Sequence, residues 1–542
     1  MLLMSTLALP NDMVSGNVGV SYKQHPPEGA YDAIVIGSGM GGLTSAALLA
    51  QRAGKRVLVL ERHYTAGGFT HVFHRPGYEW DVGVHYVGQM RAGNPMRSLF
   101  DQITEGRLQW NAMPDVYDRI RIADRSYDLV SGAGRFKERM REYFPRDAAA
   151  IDQYMALVDN VARATKLFFA EKAIPGPLAR VVGPLLRRKF LSLARRTTAE
   201  TLGRLTGNRE LIAVLTGQWG DYGLPPGQSS FGMHAIIAEH YLEGAFYPAG
   251  GAARIAASIA PVIERAGGRI VVGAAVQQIL LDARHRAVGV RMEDGRELRA
   301  PLILSDAGAW NTYARLLPQD APGRSQSLAE IESIPHSMAH LSLYVGLRRD
   351  AGEPEFGDSN LWIYPGADHD ANVARYAADP EQPFPCLFIS FPSAKDPEFA
   401  QRHPGRATIE VVAPALYGWF ERWTDTRWKR RGPGYDELKR QLAARLRAEL
   451  ERHVPAVRGR IDYCELSTPL STRQFANYHQ GQIYGCACTP ERFEARVLSP
   501  RTPVPNLYLT GADAAVPGVT GALVGGALAA SAVLRRNLMA AR

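Results

Sequence analysis

A chain of 542 residues has room for two to four domain-sized units and a substantial buried core. A hydrophobic content of 46% is ordinary for a soluble globular protein, and the net charge of +9 leaves nucleic acid and anionic membrane open as partners. The four cysteines, Cys386, Cys464, Cys486 and Cys488, form no C-x-x-C and no zinc-type spacing, which excludes a zinc module and points to a reducing compartment.

The first residues, "MLLMSTLALPNDM", are apolar, short and without a positive flank, so they do not read as a signal peptide. Residues 1–30 are expected as an irregular arm. A β-branched run at 33–36 then predicts a buried parallel strand. It runs into "GSGMGG": Gly37, Ser38, Gly39, Met40, Gly41, Gly42, the pattern G-x-G-x-x-G. The first glycine permits the tight turn, the second lets backbone approach a pyrophosphate, and the third packs helix on strand. A helix follows and stops at Gly54, a C-cap. The next strand, 57–60, ends at Glu61, nineteen residues after Gly42. An acid at that distance accepts hydrogen bonds from an adenosine ribose. Arg62 follows, and then Gly67-Gly68. A second glycine pair suits a second close approach to the pyrophosphate of a long, extended FAD, which a simple NAD unit would not need.

Further along, "DVGVHYVG" spans 81–88. Residues 101–225 read as mostly helical. Within them, residues 172–199 hold seven Lys/Arg and no acid, and 177–196 interleaves large apolar residues with arginines. Such a segment can lie in a bilayer interface, although a solvated basic face is the plainer alternative. "FYPAGG" (246–251) precedes a helix, and 267–308 reads as strand, hairpin and returning strand. Residues 310–480 alternate strand-like runs with a helix at 435–450, whose Leu438, Leu442, Leu446 and Leu450 form a core-facing stripe. The uncharged run at 516–534 is long enough to span a bilayer. It is dominated by Gly, Ala and Val and follows the strand-like "NLYLTGAD", so a buried helix is expected.

Four of these pieces together, 31–88, 246–251, 267–308 and 506–534, resemble the phytoene-desaturase-like flavoproteins. They are most similar to the branch of retinol saturases and carotenoid isomerases, with "DVGVHYVG" the most branch-specific piece. The resemblance implies an α/β fold: a Rossmann-type FAD-binding domain interleaved with a mixed α+β substrate domain. The FAD domain would be discontinuous, at 31–100, 226–310 and 481–542. A helical insertion at 101–225 and a substrate domain at 311–480 would complete the chain. The resemblance places Val276 of the middle segment and Gly511, Asp513, Thr520 and Gly521 of the closing motif at the cofactor. Asp513 would face the ribityl chain or pyrophosphate. A helix beginning near Thr520 or Gly521 would point its N-terminus at the flavin pyrimidine.

The implied reaction is saturation of a C=C bond in a hydrophobic polyene isoprenoid. Desaturation, redox-neutral isomerisation, amine oxidation and a non-catalytic FAD scaffold remain alternatives. Saturation adds a hydride and a proton, so a proton donor is expected near the flavin. His85, Tyr86, His479 and Tyr484 are the candidates, with His85 and Tyr484 preferred. Cys486 and Cys488 read as small buried residues, with a cysteinyl tether to FAD as the minor alternative. There is no second G-x-G-x-x-G after a strand, so an external electron donor is expected rather than direct NADPH reduction. No nucleic-acid recognition module accompanies the charge. The expected setting is cytoplasmic, with peripheral membrane contact through 177–196.

Overall fold

The computed structural model describes residues 17–349 and 356–539. Two sheets organise it. The first has six parallel strands in the order Val20–Ser21, Arg269–Val272, Val57–Glu61, Ala33–Ile36, Ile303–Ser305 and Leu507–Leu509. Its central strands are continuous apolar runs because both faces are covered. The expected irregular arm is corrected at its end. Val20 and Ser21 pair with Val271 and Val272 and extend this sheet by one strand.

Helix Met40–Ala53 starts at the glycine turn and ends on Gly54, whose φ of 58° is left-handed. The run at 516–534 forms the helix Val519–Leu534, buried along most of its length against Met40–Ala53. Glycines make that contact possible. A Cβ on Gly526 would lie 2.6 Å from the Gly41 carbonyl oxygen, and one on Gly525 would overlap the Gly511 carbonyl. Among the described residues no helix is long and apolar enough to cross a membrane.

The second sheet has seven strands, in the order Ile461–Ser467, Ala339–Arg348, Arg406–Ala415, Leu387–Ser390, Asn360–Tyr364, Val116–Ile122 and Arg125–Val130. All neighbours are antiparallel except Asn360–Tyr364 with Val116–Ile122. Its last two strands come from the stretch expected to be a helical insertion. Their signal was period two: Ile120 and Ile122 point in, while Arg119 and Arg121 are only half-buried. The rest of that stretch is helical, chiefly Ala148–Ala173 and Gly176–Ala194. Helix Phe231–Tyr241, expected in the FAD domain, packs instead on Ala148–Ala173 and shares its core. Leu442, Leu446 and Leu450 of helix Pro433–His453 are buried beneath the second sheet, as their spacing predicts.

Candidate functional site

A cavity of about 1130 Å³ runs from the carboxyl ends of the parallel strands to the face of the seven-stranded sheet. Its first half is a nucleotide cradle. Gly37, Gly39, Met40 and Gly41 line it at the start of the first helix. The N-cap, Gly39, has no side chain to cap that helix, and the Gly39 and Gly42 N–H groups at its start face the Asp306 carboxyl. Glu61, Arg62, Gly67, Gly68 and Val276 line the same wall. Glu61 is held in place by three bonds: Oε2 accepts from the Ser38 N–H (2.9 Å) and hydroxyl (2.7 Å), and Oε1 from the His63 N–H (2.7 Å). Ser38 therefore orients the acid rather than lining the cavity.

Three predicted glycines serve packing. A Cβ on Gly42 would strike the Gly37 carbonyl, one on Gly511 would strike the Asp306 carboxyl, and one on Gly521 would strike the Val516 carbonyl. The closing helix begins at Val519, with Gly518 as its N-cap at a φ of 88°. Gly518, Val519 and Ala522 line the cavity, whereas Thr520 and Gly521 do not. The helix end is thus where it was expected, one residue earlier. Asp513 lines the cavity and accepts from the Ala309 N–H at 2.8 Å. Buried Arg492 lies 3.8 Å from it and donates to the Ala512 carbonyl at 2.9 Å.

Away from the cradle the cavity is a chamber walled by Phe69, Phe73, Val412, Tyr344, Tyr478, Ile483 and Leu466, with His85, His340, Ser342 and Tyr484 among its polar groups, and Arg75, Arg431, Lys439 and Glu465 also line it. His85 and Tyr484 are thereby brought to one space, as preferred. The Tyr484 backbone N–H is anchored on Ser337 Oγ at 2.9 Å, and burial raises its phenol well above the usual range. Burial, with Lys395 nearby, lowers His85 to about 3, so the ring is neutral. Burial and the neighbouring His85 lower His340 to about 4.

The other two candidates lie elsewhere. Tyr86 points away from the chamber, and its hydroxyl contacts Asp118 (3.0 Å) and Asp221 (2.9 Å) in a separate buried cluster. His479 packs against Trp310, ring centres 3.9 Å apart and tilted by 46°, outside the cavity, while its neighbour Tyr478 faces in. Cys486 and Cys488 are buried with free thiols, pushed up by burial to about 12 and about 11, and neither lines the cavity.

Sequence reasoning missed Asp306, Tyr478, His340, Glu410 and Lys395. Asp306 ends the third central strand in "LSDAG" and lines the cradle, where the Gly39 and Gly42 N–H groups face it. Burial, with Glu61 and Asp513 adding repulsion, raises it to about 7. An acid closing a parallel strand was the available signal. Glu410 and Lys395 are fully enclosed behind His85, and an ionisable residue inside an apolar strand run was the sign of Glu410.

Comparison with known proteins agrees with this geometry. Residues 35–103 match the NAD(P)-binding Rossmann-like domain family. An all-trans-retinol 13,14-reductase of Danio rerio is 37% identical over 94% of this chain and 86% of its own length. The chain belongs to the all-trans-retinol 13,14-reductase family. That family includes a Danio rerio protein described as inactive, 30% identical over 94% of this chain and 86% of its own length. A prolycopene isomerase of Arabidopsis thaliana is 26% identical over 92% of this chain and 81% of its own length. Among solved structures, an oxidoreductase from Methanosarcina mazei superposes with a TM-score of 0.58 at 17% identity, covering 93% of this chain and 100% of the other. Putrescine oxidase superposes at 0.59 and 14%, covering 94% and 100%. These two likenesses establish the fold, a Rossmann nucleotide-binding unit joined to a mixed substrate sheet.

Proposed function

We propose that the protein is an FAD-dependent oxidoreductase that saturates a C=C bond of a hydrophobic polyene isoprenoid, a retinoid or carotenoid. The observation that carries this reading is the single continuous cavity. Its nucleotide end has the ribose acid, the glycine-rich helix start and the second glycine pair that suit an extended FAD. Its other end is an aromatic and aliphatic chamber whose histidines are neutral, suited to a substrate with no ionisable handle. The likeness to a retinol reductase over nearly the whole chain supports the same substrate class.

FAD, when bound, supplies the hydride chemistry. The chain's own residues do the rest. Glu61 accepts from the ribose hydroxyls. The N-terminus of Met40–Ala53 would face the pyrophosphate, and that of Val519–Leu534 would favour negative charge at the pyrimidine. The chamber excludes water and aligns the polyene. His85 or Tyr484 delivers the proton that completes saturation. With a single recognisable nucleotide motif, reducing equivalents come from an external donor rather than directly from NADPH.

The polyene enters from a bilayer. Helix Gly176–Ala194 supports that part of the reading. Leu178, Val181 and Leu185 are 52%, 78% and 73% exposed at i, i+3, i+7 spacing, with Leu167 of the neighbouring helix also exposed. Arg180, Arg188 and Lys189 flank them at the surface. Arg187 does not face outward: it is buried, donates to the Phe493 carbonyl at 2.6 Å and lies over Phe168. Docking of this face on anionic lipid, on the cytoplasmic side, fits the surface chemistry.

The test is anaerobic. Purified protein, reduced with dithionite, is mixed with all-trans-retinol, carotenoids or simple amines while flavin absorbance is followed. Reoxidation by a polyene is expected, with negligible prior reduction by NADPH. Fast reduction of the oxidised enzyme by an amine, with no polyene response, would overturn the reading.

A further inference from the structure

Glu410 stands in the middle of strand Arg406–Ala415 and is fully buried. The polar side-chain atom nearest its carboxyl is His85 Nδ1, 3.0 Å from Oε2 but off hydrogen-bond alignment, and neither Nδ1 nor the carboxyl bonds another side chain. Every charged or titratable group around it can be named. Lys395 comes from the short helix Pro392–Lys395, Asp81 from strand Tyr78–Asp81, Tyr344 from Ala339–Arg348, and His85 from the loop that follows Asp81. Tyr247 bonds Asp81, Asp118 lies on the far side of Lys395, and His340 flanks His85. Lys395 does not pair directly with Glu410. Its ammonium donates to the His85 carbonyl (2.9 Å), to Ser390 Oγ (2.8 Å) and to Asn360 Oδ1. A buried carboxyl with no bonded cation keeps its proton. Burial raises Glu410 to about 8, against smaller opposing pulls from Lys395 and the Asp81 N–H.

The consequence for His85 is geometric. A protonated Glu410 turned into line with Nδ1, only 3.0 Å away, makes Nδ1 the acceptor and places the ring proton on Nε2. His85 itself lines the chamber.

We propose that Glu410 is the positioning acid behind His85: it fixes the Nε2–H tautomer and passes its own proton to Nδ1 as Nε2–H is given to the substrate. This rests on the reading of the chamber as a saturation site. The balance is complete. The alkene π bond breaks, one carbon takes the hydride equivalent of the two-electron reduced flavin, and the other takes the Nε2 proton. Nδ1 takes the Glu410 proton, leaving His85 neutral and Glu410 a carboxylate beside the Lys395 cation. After product leaves, a solvent proton enters at Nε2 and the Nδ1 proton returns to Glu410, which restores both the acid and the first tautomer.

The experiment compares FAD-loaded wild type, Glu410→Gln and Glu410→Leu, after matching flavin content. Ring-nitrogen NMR of His85 without substrate is expected to show the neutral Nε2–H tautomer in wild type and in Glu410→Gln, whose amide still donates, and to lose that preference in Glu410→Leu. Infrared spectra should show a protonated carboxyl band in wild type at neutral pH that Glu410→Gln removes. Polyene reoxidation of reduced wild type should fall above about pH 8. Glu410→Gln should be slower by about 10²-fold and lack that alkaline limb. An Nδ1–H or cationic His85 in wild type, or an unchanged rate and pH profile in Glu410→Gln, overturns the proposal. If no polyene reoxidises wild type, the functional reading fails, and the spectroscopic arms decide the Glu410–His85 pair by themselves.

Discussion

Glu61 shows how a single side chain can hold both itself and a ligand. Its two oxygens already tie the glycine turn to the second strand through Ser38 and His63. Glu61→Ala should therefore weaken FAD binding by about 1.5–3 kcal/mol, the worth of a hydrogen bond to a charged group. Flavin retained through gel filtration measures it, and full retention would contradict the assignment. Asp306 makes a pH prediction. Its folded value, about 7, lies above the ordinary carboxyl value of 3.8. Folding therefore takes up a proton between those two values, and stability of the cofactor-free protein falls as pH rises through that window. Asp306→Asn should gain thermal stability over wild type at pH 8 and little at pH 4. An equal difference at both would show that Asp306 does not titrate in this way. At this scale Glu61 was legible because strand, turn and helix lengths fix its distance from the glycines. His85 against Tyr86 was not. His85 and Tyr86 sit in a loop whose neighbouring side chains face opposite sides, and which side is the chamber depends on the second sheet, far away in sequence.

The helices carry the next set of tests. Val519–Leu534 and Met40–Ala53 meet through glycines, so Gly526→Ala should destabilise the fold by about 1–3 kcal/mol from overpacking against the Gly41 carbonyl. A melting temperature equal to wild type would remove that contact from the account. On Gly176–Ala194 two residue sets should separate. Replacing Leu178, Val181 and Leu185 with Ser should lower binding to anionic vesicles by about tenfold or more, with stability unchanged. Arg187→Gln should instead lower stability by about 1–3 kcal/mol, because Arg187 bonds to a buried carbonyl. Vesicle flotation and thermal melts read both, and vesicle binding unchanged by the triple Ser variant would detach this helix from the membrane. The leucine stripe of Pro433–His453 was legible from its spacing. The strands Val116–Ile122 and Arg125–Val130 were not, since arginines alternate with their buried residues and the partner strand Asn360–Tyr364 lies far along the chain.

Across the molecule, function depends on how two sheets share one cavity. The parallel sheet brings the glycine turn, Glu61, Asp306 and the closing motif together from four distant stretches. The seven-stranded sheet brings His340 to the chamber wall and Glu410 to a place behind His85. The nucleotide half was legible because each of its motifs has a local geometric reason. The chamber half was not, because its polar groups come from strands whose sequences read as ordinary core. The central claim is that this shared cavity saturates a polyene. It is tested most directly by one anaerobic turnover in heavy water: reduced, FAD-loaded protein is mixed with all-trans-retinol or a carotenoid, and the product is weighed by mass spectrometry. The account predicts one product per flavin oxidised, carrying two more hydrogens than the substrate, both as deuterium, since the N5–H of a reduced flavin exchanges with solvent as the proton donor does. A product of unchanged mass formed many times per flavin, or one two hydrogens lighter, would contradict it.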